Sequence, residues 1–234
     1  SDYTLVATDR SRDRLLRHGI PPEKIRVIGF PINKKFMRVD ADRDEVIARL
    51  GLDPDNRTLL VAAGGQGIGR VFSFVEALAR HELPLNVITV AGKNRRTKER
   101  MDRLVRMSSK TRIASIGYAR NMNELVAASD AVVGKAGAST AMEAIFLLKP
   151  MIFTEWSTYN DRYIINFALD YHIGMYCPTT FSFIRAMRSV VEDDRLRVCA
   201  ENLAELHMRP GTDDVAAFIA GQLGAGGPVG SDRG

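Results

Sequence analysis

Five short runs built almost wholly from apolar residues recur along this chain, at 58–63, 85–90, 113–116, 131–133 and 150–153. A strand with nearly every residue apolar is buried on both faces, which requires a parallel sheet covered by helices. Helical patterns fill the gaps, at 70–80, 95–107, 123–128 and 139–147. Upstream lie strand-like residues 5–7, a helical 11–18, strand-like 25–28, and a helical 42–50 that Asp42 is placed to cap. The alternation predicts an α/β fold, a doubly wound parallel sheet. Beyond residues 174–177 only helical patterns follow, near 181–191, 195–206 and 213–222, which predicts a C-terminal helical segment. No internal repeat is visible.

A boundary is expected between Pro31 and Asp42. The strand, helix and strand before it are too little to fold alone, whereas a complete α/β unit follows. Residues 1–36 therefore read as the remnant of another domain with its crossing strand, and residues 37–222 as a ligand-binding domain. Residues 223–234, Gly-rich with little apolar content, read as a disordered tail. An opening on a strand, with no initiator Met, reads as a piece of a longer chain. No apolar run approaches the roughly 20 residues of a membrane span, and Ser1, Asp2 and Tyr3 do not resemble a secretory leader. Cys177 and Cys199 have no CxxC or metal spacing, so they read as buried thiols in a reducing compartment.

The formal net charge of +5 is unevenly placed. Lys93, Arg95, Arg96, Lys98, Arg100, Arg103, Arg106, Lys110 and Arg112 crowd one segment, opposed only by Glu99 and Asp102. Such a segment is either a solvated helix face or a surface that attracts anionic lipid or a phosphorylated substrate. Nucleic acid is disfavoured as a partner, because no aromatic residues interleave the basic ones as stacking platforms.

In open α/β sheets, ligands bind outside the carboxyl ends of the strands. Four such junctions carry suitable residues. Gly64, Gly65, Gln66, Gly67, Ile68 and Gly69 follow the strand at 58–63 and open the next helix, where backbone N–H groups can approach an anion. Their spacing is not GxGxxG. The second junction holds Gly134, Lys135, Ala136, Gly137 and Ala138 ahead of a helix that Ser139 or Thr140 is placed to cap. It lacks the glycine and hydroxyl of a Walker loop, yet it is another phosphate-ready terminus. Glu143, near the first turn, either complements the helix dipole or accepts two hydrogen bonds from a diol such as ribose. The third and fourth junctions are Gly92-Lys93-Asn94 and Gly117-Tyr118. Together these features point to a nucleoside diphosphate ligand. No nucleophile–base pair appears, no cofactor is called for, and no histidine has a metal-ligand spacing.

Those residues, in that order, resemble the C-terminal donor domain of GT-B glycosyltransferases, above all family 28, whose members include monogalactosyldiacylglycerol synthases, processive diacylglycerol glucosyltransferases and the lipid II GlcNAc transferase. The similarity runs from about Tyr3 to Met175. Val27, Gly29, Pro31, Ile32 and Phe36 resemble the family's crossing into the C-terminal domain, and 64–69 its "G-G-x-G-x-G" loop. Gly92, Lys93 and Asn94 resemble "G-[RK]-N"; Gly117, Tyr118 and Met122 resemble "G-[FY]-x-x-x-M". Ser129 and Asp130, then Lys135, Gly137, Thr140, Glu143 and Ala144, resemble "S-D-x-x-x-x-K-[AP]-G-x-x-T-x-x-E-A".

The resemblance implies a Rossmann-like donor domain that binds a UDP-sugar. It places uracil by Gly117, Tyr118 and Met122, ribose on Glu143, and diphosphate at Gly67 and the 138–140 turn. Gly65, Gln66, Lys93, Asn94, Lys135 and Gly137 complete the implied site. It also implies inverting transfer of galactose, glucose or N-acetylglucosamine to a lipid acceptor at the cytoplasmic face of a membrane. The acceptor pocket and the general base then belong to an N-terminal acceptor domain, of which residues 1–36 are the remnant, so the fragment is expected to be inactive alone. One departure is clear. Where the family has "G-Q-E-x-x-N", this chain has Asn160 and Asp161 ahead of Asn166, and these two are expected to stand in for Gln and Glu. Two alternatives share the architecture: an isomerase of the UDP-GlcNAc 2-epimerase type, and a non-catalytic or partner-dependent nucleotide-sugar-binding subunit.

Overall fold

The computed structural model describes residues 2–62 and 70–225. They divide into two compact units, one drawn from residues 38–62 with 70–207 and the other from 2–37 with 208–225.

The larger unit is built on six parallel strands, β3 (Arg57–Ala62), β4 (Leu85–Val90), β5 (Arg112–Ile116), β6 (Ala131–Lys135), β7 (Met151–Glu155) and β8 (Gly174–Tyr176), in the order β5-β4-β3-β6-β7-β8. The chain winds outward from β3 through β4 to β5, then returns beside β3 as β6 and winds the other way. That reversal is a topological switch point, where open α/β sheets form a crevice. All six residues of β4 are buried, as are all but Arg57 of β3, as the apolar runs require. Two polar residues inside the sheet satisfy each other: the Asn86 amide donates to Thr58 Oγ1 at 3.1 Å and to Asp53 O at 2.6 Å.

Helices cover both faces. α3 (Val71–His81), α4 (Arg95–Leu104) and α8 (Thr180–Glu192) bury Phe74, Met101, Phe183 and Met187 in one cluster with Leu59 and Val61 of β3. Strand alternation turns Leu60 to the opposite face. The buried residues of α2 (Arg43–Arg49), α5 (Met122–Ala128), α6 (Ala138–Phe146) and α7 (Tyr159–Asp170) lie outside that cluster. Asp42 caps α2 as expected, accepting from the N–H of Asp44 at 2.7 Å and of Glu45 at 3.1 Å. α9 (Arg195–Glu205) follows α8. Both cysteines are buried.

α7 is the one helix of this unit that the apolar pattern did not reveal. It begins at a capping box: Thr158 Oγ1 accepts from the Asp161 N–H at 3.3 Å, and the Asp161 carboxylate accepts from the Thr158 N–H at 3.1 Å.

In the smaller unit, β1 (Thr4–Val6) pairs in parallel with β2 (Ile25–Val27), with α1 (Asp9–Arg17) between them. The C-terminal helix α10 (Thr212–Ala225) belongs here, with Phe218 edge-on to Tyr3 at 5.3 Å. Gly29 has φ of +78° and lies against the backbone of Arg209, Pro210 and Gly211, which no side chain would permit. The crossing motif is thus tied to the C-terminal segment, and Thr212 Oγ1 accepts from the Ile32 N–H at 2.8 Å. Among the described residues, no helix is long and apolar enough to cross a membrane.

Candidate functional site

A cleft of about 170 Å³ opens at the carboxyl ends of β3, β4 and β5, lined by Ala62, Val90, Gly92, Tyr118, Ala119, Met122, Thr140 and Glu143. Its walls follow from the sheet. Beyond the ends of β4 and β5 the pairing continues, with Ala91 N–H to Ile116 O at 2.9 Å and Gly92 N–H to Gly117 O at 3.1 Å. That extension brings two of the expected junctions side by side. Tyr118 stands at the rim, 61% exposed, with Lys93 Nζ 5.9 Å from its ring centroid. Met122 is the first residue of α5 and also lines the cleft.

The other wall is the start of α6. Gly137 is its N-cap, in extended conformation and without any side-chain cap, so the expectation that Ser139 or Thr140 caps this helix is corrected. Both residues instead lie in the first turn. Ala141 N–H donates to Gly137 O at 3.0 Å. The N–H groups of Ala138, Ser139 and Thr140 precede that first intrahelical bond, and the first turn carries no acidic residue. A terminus of this kind favours an anion. Glu143 is the sixth residue of α6, half-buried in the second turn, deeper than expected. Dipole effects fade beyond the first turn, and Glu143 lines the cleft.

Of the residues expected in the site, the structure gathers Tyr118, Met122, Thr140 and Glu143 into the cleft. Gly117 borders it, Lys93 stands at its rim, and Gly137, Ala138 and Ser139 lie at its α6 edge. Lys135, the last residue of β6, is exposed and reaches Asp161 at 4.0 Å. Others serve local structure. Asn94 is the N-cap of α4, its Oδ1 accepting from the Thr97 N–H at 3.0 Å. Asn160 is exposed in the first turn of α7. The Asp161 carboxylate is committed to the N–H groups of Ser157 and Thr158, at 2.8 and 3.1 Å. Burial raises the Asp161 pKa, but these donors and Lys135 outweigh it, and the net shift is downward. Gly65, Gln66 and Gly67 lie outside the described residues. Ala62, Val90 and Ala119 also line the cleft, and as strand-end or post-strand apolar residues they carried no chemical signal in the sequence.

The basic segment is partly neutralised within α4 and across to α3. Lys98 pairs with Asp102 at 2.5 Å, and Arg100 pairs with Glu76. The charge nevertheless remains lopsided. Helices α3, α4 and α8 carry eight Lys and Arg against four Asp and Glu, whereas α2, α5, α6 and α7 carry three against six.

Known proteins match this arrangement. Residues 58–170 match the glycosyltransferase family 28 C-terminal domain. A processive diacylglycerol beta-glucosyltransferase of Staphylococcus saprophyticus is 30% identical over 151 residues, covering 64% of this chain and 38% of that protein. MurG of Acinetobacter baumannii superposes with a TM-score of 0.66 at 16% identity, over 93% of this chain and 66% of that one. A UDP-GlcNAc 2-epimerase of Neisseria meningitidis, solved with UDP-GlcNAc bound, superposes at 0.62 with 15% identity, over 97% and 62%. The chain spans 37–57% of the length of the curated relatives it matches. The fold is that of GT-B glycosyltransferases, and the family-28 similarity read from the residues is found again in the match over residues 58–170 and in the Staphylococcus saprophyticus relative.

Proposed function

With the family-28 match over residues 58–170 as the premise, we propose that this chain is the donor-binding part of a glycosyltransferase that moves a hexose from a UDP-sugar to a lipid acceptor. The observation that carries this reading is the meeting of Tyr118, Met122, Thr140 and Glu143 in one cleft at the switch point. Pockets that enclose a whole small ligand run to about 300–1,000 Å³. A cleft of about 170 Å³ takes one end of a ligand and lets the rest extend past Thr140.

The chemistry of each wall suits one part of UDP. The slot between Gly92, Gly117 and Met122 accepts a flat base, with Tyr118 at its rim. Glu143 accepts hydrogen bonds from the two ribose hydroxyls, charge-assisted contacts in a half-buried setting. The diphosphate meets the N–H groups of Ala138, Ser139 and Thr140, with Lys93 and Lys135 as exposed counter-charges. The sugar is galactose, glucose or N-acetylglucosamine, transferred with inversion. A diacylglycerol-type acceptor is supported by the name of the Staphylococcus saprophyticus relative, and an anionic membrane surface by the excess of positive charge on α3, α4 and α8. Acceptor pocket and general base are assigned to the part of the relatives that this chain does not span, so the chain alone is expected to bind donor without turnover.

A second reading, a UDP-GlcNAc 2-epimerase, is favoured by the shared fold alone. Epimerisation needs acid and base groups at the sugar, and no histidine is among the residues lining the cleft. Incubating a longer chain that includes the upstream domain with UDP-GlcNAc, with and without a diacylglycerol acceptor, separates the two. Glycolipid formed only with acceptor supports transfer; an epimer formed without acceptor overturns it.

A further inference from the structure

An aromatic patch sits beside the start of α6, on the β7–α7 connection, and none of the roles assigned above uses it. Trp156 is 40% exposed, Tyr159 80% and Tyr163 52%. The rings of Trp156 and Tyr159 lie 6.4 Å apart, tilted by 38°, so together they offer one broad apolar surface. The Arg162 guanidinium lies 5.8 Å from the Trp156 ring centroid and steadies the indole.

The position of this patch is fixed by backbone contacts. Ala136 N–H donates to Glu155 O at 3.0 Å, joining the residue before the α6 N-cap to the residue before Trp156. Lys135 Nζ and the Asp161 carboxylate, 4.0 Å apart, tie the same two loops together again. Consecutive Cα atoms are about 3.8 Å apart, so Trp156 is one residue step from that hydrogen bond. The strand order puts the cleft on the β3–β4–β5 side of the α6 terminus and the aromatic patch on the β7 side. A ligand with its nucleoside in the cleft and its diphosphate at α6 has Trp156 and Tyr159 on the side of that terminus away from the cleft.

We propose that Trp156 and Tyr159 form a stacking platform for the sugar ring of the donor, a role that rests on the nucleotide-sugar reading above. The alternative holder at this end is Asp161, and its carboxylate already accepts from the N–H groups of Ser157 and Thr158. Both of those bonds use one carboxylate oxygen, Oδ2, and the aromatic pair adds contact with the apolar C–H face of a pyranose beside whatever hydrogen bonds Oδ1 accepts. Such contact favours hexoses whose C–H groups gather on one side.

Trp156 is the sole tryptophan of the chain, which makes it a direct reporter. The 234-residue chain is titrated with UDP and, separately, with UDP-galactose, UDP-glucose and UDP-N-acetylglucosamine, following both heat and tryptophan emission. The expected result is that UDP binds and leaves the emission nearly unchanged, while at least one UDP-sugar quenches or shifts it. Tyr159→Ala is expected to weaken that UDP-sugar by about fivefold with UDP affinity unchanged, and Tyr159→Phe to restore it. If UDP binds but no UDP-sugar alters the emission, or if Tyr159→Ala leaves the affinity for every UDP-sugar unchanged, the platform is wrong and the nucleotide site stands. If UDP itself does not bind, both fall together.

Discussion

Gly134 lies so close to Ala62 that a Cβ placed on it would stand 2.7 Å from the Ala62 carbonyl oxygen. The two residues pair across β6 and β3 at the switch point, and Ala62 lines the cleft. The glycine is there because two backbones meet, and the same approach shapes the cleft wall. Gly134→Ala is expected to lower unfolding free energy by about 1–3 kcal/mol, as overpacking does, read from the urea midpoint. An unchanged midpoint would mean that β3 and β6 can part without penalty.

A negative charge added to the first turn of α6 should affect folding and binding in opposite directions. Ser139→Asp complements the helix dipole and is expected to stabilise the fold by about 0.3–1 kcal/mol. The same carboxylate repels a diphosphate, so UDP should bind more weakly while uridine is unaffected. Parallel thermal melts and titrations with the two ligands check both signs.

Asp161 is expected to matter for stability in a pH-dependent way. Removing the capping-box acid, as Asp161→Ala, should destabilise by about 1 kcal/mol near neutral pH. Its folded pKa is lowered, burial being outweighed by the donors from Ser157 and Thr158 and by Lys135. A carboxylate of this kind stabilises at every pH above its unfolded value of about 3.9 and loses that contribution as pH falls through the folded value. The gap between wild type and Asp161→Ala should therefore close on acidification below about pH 4, measured by denaturation at stepped pH.

Burial pushes the Cys177 thiol up to about 11, with Arg195 and Arg185 pulling weakly the other way, and burial also raises Cys199. A thiol held protonated above its unfolded pKa of about 8.5 leaves the folded state with the extra proton, so stability should fall as pH rises from about 8.5 toward 11. At pH 8 neither thiol is expected to react with a disulfide reagent until the chain unfolds, when both should react. Rapid labelling of the folded protein would contradict this placement.

The sheet and its order of elements were legible because apolar runs buried on both faces leave a strong pattern in the sequence. The cleft was legible in part, since Tyr118, Met122, Thr140 and Glu143 sit at strand ends that any doubly wound fold brings together. Helix α7 was not, because its mixed run from Tyr159 to Asp170 buries only Ile165 and Ala168 and shows little periodicity. Its signal was at the start, in the Thr158–Asp161 capping box, at the acid expected to stand in for the family's Glu. Asn94 shows the same ambiguity: a polar residue after a strand serves equally well as a cap, as Asn94 does for α4, or as a ligand contact. The association of α10 with the N-terminal segment depends on long-range contacts such as Gly29 against Gly211, which no local pattern records.

The central claim is that the cleft grips uridine diphosphate through the ribose hydroxyls. Calorimetric titration of the 234-residue chain with UDP, wild type against Glu143→Ala, tests it most directly. Loss of a charge-assisted contact of about 1.5–3 kcal/mol should weaken UDP at least tenfold while leaving the melting temperature within about 2 °C. No heat from wild type at millimolar UDP, or equal affinity in the two proteins, would contradict it.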